Sequence, residues 1–180
     1  MQVAYALQAE DLLHYQLYAA SKSPLVRRNR RRSWLIATLA FVSLAVLFYL
    51  ERITSLAVYF ALLAGGSAAL FPLYSRWRYK RHYRKHVETH YQDQVGAPVA
   101  LELTDTLLKS ADRASRNELQ LRELYQIAET PQAFLLRYSP AGAVIVPKRQ
   151  VDAAALASEL RRLATLHGIE YVDDRSWQWQ

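Results

Sequence analysis

Two long stretches without any charged or histidine side chain stand out when hydrophobic and polar positions are followed along the 180-residue chain. They cover residues 33–50 and 53–75. As helices, at about 1.5 Å per residue, their apolar parts are long enough to cross the hydrocarbon layer of a bilayer. A cleaved signal peptide does not fit, because the second stretch follows the first almost at once. The pattern therefore predicts two transmembrane helices, at 34–50 and 54–75, and argues against a wholly soluble protein.

Positive charge gathers on both sides of this pair of helices. The formal net charge is +7, and the short connection at 51–53 is nearly neutral. Because Lys and Arg beside a membrane span stay in the cytoplasm, we predict a multi-pass hairpin in the cytoplasmic (inner) membrane with both termini cytoplasmic. The same side chains can bind anionic lipid headgroups. The candidate lipid contacts are Arg27, Arg28, Arg30, Arg31, Arg32, Arg76, Arg78, Lys80 and Arg81.

The charge distribution argues against nucleic acid as a partner. Residues 87–180 carry ten basic and thirteen acidic side chains, so the C-terminal part is acidic. A nucleic-acid-binding domain would instead show a basic face.

Small residues recur at every fourth position of the second apolar stretch, at Ala61, Gly65 and Ala69. Such a face lets another helix approach closely. The simplest partner is the first span of the same chain, and a homodimer is the alternative. No ionisable residue lies inside either span, which removes the usual mark of a proton or ion pathway.

Helical periodicity continues beyond the second span, because Tyr and Val recur every four residues from Tyr79 to Val95. We therefore predict a cytoplasmic helical stalk at 76–95. His82, His86 and His90 lie on one side of this stalk. Two His at this spacing can ligate a metal, but the chain has no Cys. A solvated basic face is the simpler interpretation, and metal binding stays open.

The cytoplasmic parts show the patterns of an α+β fold. Residues 1–33 begin with an alternating segment at 3–7, which predicts a strand, and continue with a helical pattern from Glu10. Alternation and apolar runs at 99–103, 118–122, 134–138 and 144–146 then predict four or five antiparallel strands. We expect the segment at 3–7 to pair with the open edge of this sheet.

A helix is predicted to close the sheet at 153–166, with Asp152 as its N-cap and Gly168 just past its end. A small antiparallel sheet with one C-terminal helix is the ground plan of pleckstrin-homology-like domains. The predicted fold class is thus an α+β membrane protein, in which a two-helix transmembrane hairpin joins a small cytoplasmic sheet closed by a C-terminal helix. The domain is expected at 96–168, with a tail at 169–180.

Two segments of this domain look like a known family. Residues 123–136, ELYQIAETPQAFLL, and 143–149, AVIVPKR, followed by the closing helix, resemble the C-terminal domain of the YcxB-like family of bacterial membrane proteins. Two membrane spans ahead of that domain also match the family. The resemblance implies a membrane-anchored cytoplasmic module with a pleckstrin-homology-like fold, and it implies no catalytic residues.

The sequence shows no nucleophile, metal cluster or phosphate cradle. It has no Cys, five Gly and no Gly-x-Ser-x-Gly motif. The acids Asp105, Asp112, Glu118, Glu123 and Glu129 are spread over predicted strands and turns, where a solvated surface is expected rather than an acid/base pair. We therefore predict neither enzymatic activity nor a cofactor.

The functional expectation is a membrane-anchored binding or regulatory module. The basic spot of its domain is Lys148-Arg149, which either positions the final helix or contacts an acidic partner or a lipid headgroup. A lipid-sensing or membrane-organising protein and an accessory subunit of a transport complex are the alternatives. The expected partners are membrane lipids and an unidentified protein.

Overall fold

The computed structural model describes residues 1–92, 95–111, 116–140 and 142–179, and the chain divides into two compact units. The hairpin unit comprises Ala20–His82, and the folded unit comprises Met1–Ala19 together with Tyr83–Trp179. The architecture is α+β, with two long apolar helices and two small sheets. The candidate acid Asp112 lies outside the described residues.

Helices and strands alternate in blocks along the chain. Within the described residues the order is β1 (Gln2–Ala6), α1 (Ala9–Lys22), α2 (Pro24–Leu50), α3 (Thr54–His90), β2 (Pro98–Leu103), β3 (Leu107–Ala111), β4 (Arg116–Gln120), β5 (Gln126–Glu129), β6 (Ala133–Arg137), β7 (Ala143–Pro147), α4 (Ala153–His167) and β8 (Glu170–Asp173).

The hairpin unit consists mainly of α2 and α3. Ser23 caps α2 and Pro24 occupies its first turn, so the helix begins well before the apolar stretch. The rings of Phe48 and Phe60 stack with centroids 5.4 Å apart, and Trp34 donates a hydrogen bond to the Ala68 carbonyl at 3.3 Å. The prediction that the second helix continues beyond the apolar stretch is confirmed, but α3 ends at His90 rather than at 95.

The surface of the hairpin is strongly apolar. None of the described residues of α2 is buried, and within the apolar stretches at 34–50 and 54–75 the exposed side chains of α2 and α3 are mainly Leu, Val, Ile and aromatic residues. A core helix of a soluble protein would bury these side chains, and a patch this extended is unusual on a protein surface in water. Both helices are long and apolar enough to span a membrane.

Eight strands form two four-stranded sheets in the described part of the folded unit. The first has the order β1-β2-β3-β4 and is antiparallel throughout. The predicted pairing of the N-terminal strand is confirmed, since Tyr5 lies opposite Val99. The second sheet has the order β7-β6-β5-β8, in which β8 runs parallel to β5.

The prediction of one antiparallel sheet closed by a final helix is therefore wrong in two respects. There are two sheets, and the chain continues after α4 into β8, within the region expected to be a tail at 169–180. Parallel strands need a long crossover connection, and the segment containing α4 provides it between β5 and β8. Gly168 adopts a left-handed conformation (φ 66°) directly before the return. The helix itself and its Asp152 cap are confirmed.

Strand β6 lies between two hydrophobic cores. Phe134 and Leu136 pack in a core with α4 and the first sheet, whereas Ala133 and Leu135 pack in a second core with α1. Successive residues of a strand point to opposite faces, so both faces of β6 are covered. This explains its continuous apolar run and places α1 against the second sheet.

Candidate functional site

The basic residues beside the apolar stretches lie at one end of the hairpin, which we call the basic end. Arg30 Nε donates a hydrogen bond to Ser75 Oγ at 3.1 Å, so the start of the apolar part of α2 lies beside the end of the apolar part of α3. Arg30 is half-buried. The exposed candidates of the basic end are Arg27, Arg28, Arg31, Arg32, Arg76, Arg78, Lys80 and Arg81. The structure thus brings the nine candidate lipid contacts to the same end of the hairpin.

A pocket of about 260 Å³ lies between α2 and α3 at the basic end. Ser75 is only 5% exposed, and its hydroxyl accepts the hydrogen bond from Arg30. The Arg30 guanidinium also lies over the ring of Tyr79, 5.8 Å from its centroid. The lining residues are Arg30, Ser33, Phe71, Tyr74, Ser75, Arg78, Tyr79 and His82. Guanidinium and hydroxyl donors beside an apolar wall suit an oxyanion that carries a hydrocarbon chain.

Aromatic side chains accompany the positive charge at the basic end. Trp77 is exposed, and the Arg81 guanidinium lies 5.3 Å from its ring centroid. The ring of Tyr74 lies next to that of Trp77, with centroids 6.3 Å apart. Exposed amphipathic rings beside Arg and Lys are typical of the boundary between hydrocarbon and headgroups.

The stripe of small residues in α3 does not pack on α2. Ala61, Gly65 and Ala69 are exposed, and a Cβ atom added at Gly65 would meet no atom within 4 Å. On the neighbouring face of α3, Ala57 and Ala64 are buried, and the carbonyl of Ala68 accepts the hydrogen bond from Trp34 on α2. The expectation that the first span covers the stripe is wrong, because α3 presents a face rotated from it. A homodimer through Ala61, Gly65 and Ala69 stays a prediction.

The three histidines of α3 have different surroundings. His82 lines the pocket at the basic end, whereas His86 and His90 lie in the folded unit with ring centroids 4.4 Å apart. Among the residues that the structure describes, no three His, Cys, Asp or Glu side chains come together as metal ligands would.

The two candidate partner contacts, Lys148 and Arg149, follow β7 and are both paired within the folded unit. Arg149 forms a bidentate ion pair with Asp11, in which Nη2 lies 2.7 Å from Oδ2. Asp11 is 2% exposed, and its Oδ2 also accepts the backbone N–H of Gln8 at 2.7 Å. The pair ties the start of α1 to the end of β7. A partner contact through Arg149 would have to compete with this carboxylate.

Lys148 belongs to a cluster around Glu129, at the end of β5. Glu129 is 4% exposed, and its carboxylate accepts hydrogen bonds from Lys148 Nζ at 2.9 Å, Arg161 Nη2 at 2.9 Å and Tyr171 Oη at 2.6 Å. Burial alone would raise the pKa of Glu129. The hydrogen bonds from Tyr171 and Lys148 and the charges of Lys148 and Arg161 outweigh burial and lower it.

The expectation of a solvated acid is therefore wrong for Glu129, although Asp105, Glu118 and Glu123 are exposed. The reason is long-range pairing, because β8 supplies Tyr171 and α4 supplies Arg161. Burial of Glu129 is not visible in the local pattern of the sequence. One feature of the sequence points to Glu129 and Lys148. They lie in the two segments that carry the family resemblance.

This cluster lies in the part of the chain with recognisable relatives. Residues 104–164 match the family model described as YcxB-like protein. The resemblance is thereby confirmed for this YcxB-like segment, which covers about a third of the chain and extends from before β3 into α4. The YcxB-like segment contains Glu129, Lys148 and Arg161. Comparison with curated proteins and with solved structures gives no match.

Proposed function

We propose that the chain is a membrane-anchored cytoplasmic binding or regulatory module without catalytic activity. The exposed apolar surface of α2 and α3, bounded by the basic end, carries this proposal. In a bilayer this surface meets lipid tails, and the basic end lies at the cytoplasmic leaflet. The protein then crosses the inner membrane twice, with both termini in the cytoplasm.

The proposed ligands of the basic end are anionic lipid headgroups. Each Lys or Arg near an anionic membrane surface contributes on the order of 1 kcal/mol. The pocket at Arg30, Ser75 and Arg78 adds a defined place for one headgroup oxyanion. This pocket favours lipid sensing or membrane organisation as the second candidate function.

The proposal that the chain has no catalytic activity rests on the partners of two buried carboxylates in the folded unit. Glu129 is satisfied by Lys148, Arg161 and Tyr171, and Asp11 by Arg149. Each pair joins elements that are distant in sequence. Such contacts suit positions that hold a fold together, whereas a general acid or base needs a pKa near neutrality.

A pleckstrin-homology-like architecture is part of the proposal. Its support is the order of elements, since β1–β4 form one antiparallel sheet, β5–β7 form a second antiparallel set and α4 follows. In this arrangement the hairpin unit is an insertion between β1 and β2.

The lipid role is tested with the full chain in nanodiscs that contain a minority of anionic phospholipid. The double variant Arg31→Gln/Arg78→Gln removes two exposed charges of the basic end. The matched control, Lys109→Gln/Arg122→Gln, removes two charges of the folded unit, one half-exposed and one exposed. Native mass spectrometry measures the anionic lipid retained per chain.

We expect the variant of the basic end to retain anionic lipid between about threefold and thirtyfold less tightly, the upper value being two full contributions of about 1 kcal/mol. The control is expected to match the wild type. If both variants retain the same amount of anionic lipid, the basic residues of the basic end only set the topology during insertion.

A further inference from the structure

The pocket of about 260 Å³ at the basic end connects an apolar wall to a charged one. The residues of α3 that line it recur at spacings of three and four, so they form one stripe of the helix. This stripe begins with Phe71, inside the apolar stretch, and ends with His82, beyond it. A ligand in the pocket therefore meets both the end of the apolar surface and the start of the positive charge.

The charged side chains that line this pocket are all basic. Arg30 contributes from α2 and Arg78 from α3, and no Asp or Glu is among the lining residues. Glu51 is the one acidic residue in the sequence of the hairpin unit, and it follows α2 at the connection to α3. At 1.5 Å per residue, it lies about 30 Å along the helix from Arg30. The hairpin unit thus supplies no nearby carboxylate for the guanidinium groups of the pocket.

Two contacts orient the Arg30 guanidinium. Its Nε donates a hydrogen bond to Ser75 Oγ at 3.1 Å, and its plane lies 5.8 Å from the centroid of the Tyr79 ring. A guanidinium held in this way presents its remaining N–H groups as a rigid fork, which matches the oxygens of a phosphate. Because the side chain is already ordered, less conformational entropy is lost when a ligand binds.

Arg78 differs from Arg30 in that it is exposed. It forms no hydrogen bond or ion pair with another residue in the described part of the chain. Its guanidinium is solvated by water and is available to a ligand. The exposed Ser33 also lines the pocket, and its hydroxyl is a further donor. The pocket therefore offers one ordered and one available guanidinium, with a hydroxyl donor beside them.

Charge and the number of oxygens distinguish the two kinds of lipid phosphate. A phosphodiester headgroup carries one negative charge and has two unesterified oxygens. A phosphate monoester carries about −1.5 to −2 charges at pH 7 and has three strong acceptor oxygens. Two guanidinium groups match the charge of the monoester, and their hydrogen bonds favour its dianionic form. A diester would leave part of the positive charge of the pocket unbalanced.

We propose that this pocket binds the phosphate monoester headgroup of phosphatidic acid in preference to the phosphodiester headgroups of other anionic phospholipids. The phosphate oxygens accept hydrogen bonds from Arg30 and Arg78, and the start of the lipid chains lies against Phe71. The inference rests on the lipid role proposed above, because the pocket meets such a headgroup only when the hairpin lies in a bilayer.

The test uses the full chain in phosphatidylcholine nanodiscs that contain equal minority fractions of phosphatidic acid and phosphatidylglycerol. Native mass spectrometry counts each lipid retained per chain, and the ratio of the two counts gives the preference. The variant Arg78→Gln removes a guanidinium of the pocket. The matched control Arg31→Gln removes another exposed arginine of the basic end, which does not line the pocket. A parallel sample contains excess sn-glycerol 3-phosphate, which has the headgroup without the chains.

We expect the wild type to prefer phosphatidic acid at least about fivefold, the factor that one additional charge contact provides at a membrane surface. Arg78→Gln should lower this preference to less than about twofold, because only one guanidinium remains in the pocket. Arg31→Gln should reduce retention of both lipids alike and keep the preference. Excess glycerol phosphate should not displace phosphatidic acid.

The outcomes separate this inference from the lipid role itself. If the wild type retains neither anionic lipid above phosphatidylcholine, the lipid role is refuted and this inference with it. Equal retention of the two anionic lipids would leave the lipid role intact and overturn the inference. An unchanged preference in Arg78→Gln, an equal loss of preference in Arg31→Gln, or displacement by glycerol phosphate would also overturn it.

Discussion

Substitution of Glu129 by Gln should destabilise the folded unit far more than the loss of an ordinary surface acid. Gln keeps the shape and one acceptor oxygen, but it removes the charge that faces Lys148 and Arg161. Lys148 is 18% exposed at its side chain and would be left largely buried without a counter-ion. Arg161 is half-exposed and can turn to water, so its share of the loss is small.

The expected loss in the free energy of unfolding depends on how far Lys148 and Arg161 are buried. A hydrogen bond to a charged group contributes about 1.5–3 kcal/mol, and leaving one partner of a buried pair alone costs about 3–5 kcal/mol. Because only Lys148 is mostly buried, we expect a loss of about 2–4 kcal/mol in the free energy of unfolding. The double variant Glu129→Gln/Lys148→Met should recover part of this loss, since it removes the unpaired charge as well.

The assay is urea unfolding of the full chain in nanodiscs, followed by tryptophan fluorescence. Trp177 is a suitable reporter, because it packs edge-on against His14 and Tyr18 and lies in the segment that follows β8. The control is Glu118→Gln, whose exposed ion pair with Lys109 should contribute less than about 1 kcal/mol. If Glu129→Gln is no more destabilising than this control, the account of the cluster is wrong.

The stability difference between the wild type and Glu129→Gln should depend on pH. The pKa of Glu129 is lower in the folded protein than in the unfolded chain, so its ionised form stabilises the fold. The stability difference between wild type and Glu129→Gln should be complete above the unfolded pKa of about 4.3 and should shrink as the pH falls through the folded value.

Two further perturbations address the N-terminal strand and the small-residue stripe. Tyr5→Ala should lower the free energy of unfolding by about 3–5 kcal/mol, since Tyr5 is buried in the core beside Val99; an effect below about 1 kcal/mol would mean that β1 contributes little. If the chain forms a homodimer through the exposed stripe, Gly65→Ile should reduce the dimer fraction in single-molecule photobleaching. The control variant Leu62→Ile, outside the stripe, should not reduce it. Equal fractions in both variants would place any dimer contact elsewhere.

The sequence was informative wherever structure depends on local pattern. The absence of charge at 34–50 and 54–75 predicted the two apolar helices, and Asp152 with Gly168 predicted the limits of α4. The strand at the N-terminus was predictable because strict alternation is a local property and an open sheet edge needs a partner. The family resemblance was also present in short segments of sequence and did not depend on the fold.

What the sequence did not show depends on contacts between distant positions. Strand β8 was missed because its parallel pairing with β5 exists only after α4 has crossed the sheet. The local pattern predicts a surface acid at Glu129, because two of the residues that bind its carboxylate lie 32 and 42 positions away, at Arg161 and Tyr171. A cleft of about 440 Å³ in the folded unit is likewise lined by α1, the first sheet and β7, which no local pattern brings together.

Cysteine labelling tests whether the chain forms a membrane hairpin with both termini in the cytoplasm. The chain has no Cys, so single cysteines can be introduced at Glu51 in the hairpin connection and at Ser176 near the C-terminus, both exposed positions. Intact cells are treated with a membrane-impermeant maleimide. With both termini in the cytoplasm, Glu51→Cys should be labelled in intact cells and Ser176→Cys only after permeabilisation. Labelling of Ser176→Cys in intact cells, with Glu51→Cys protected, would contradict this topology.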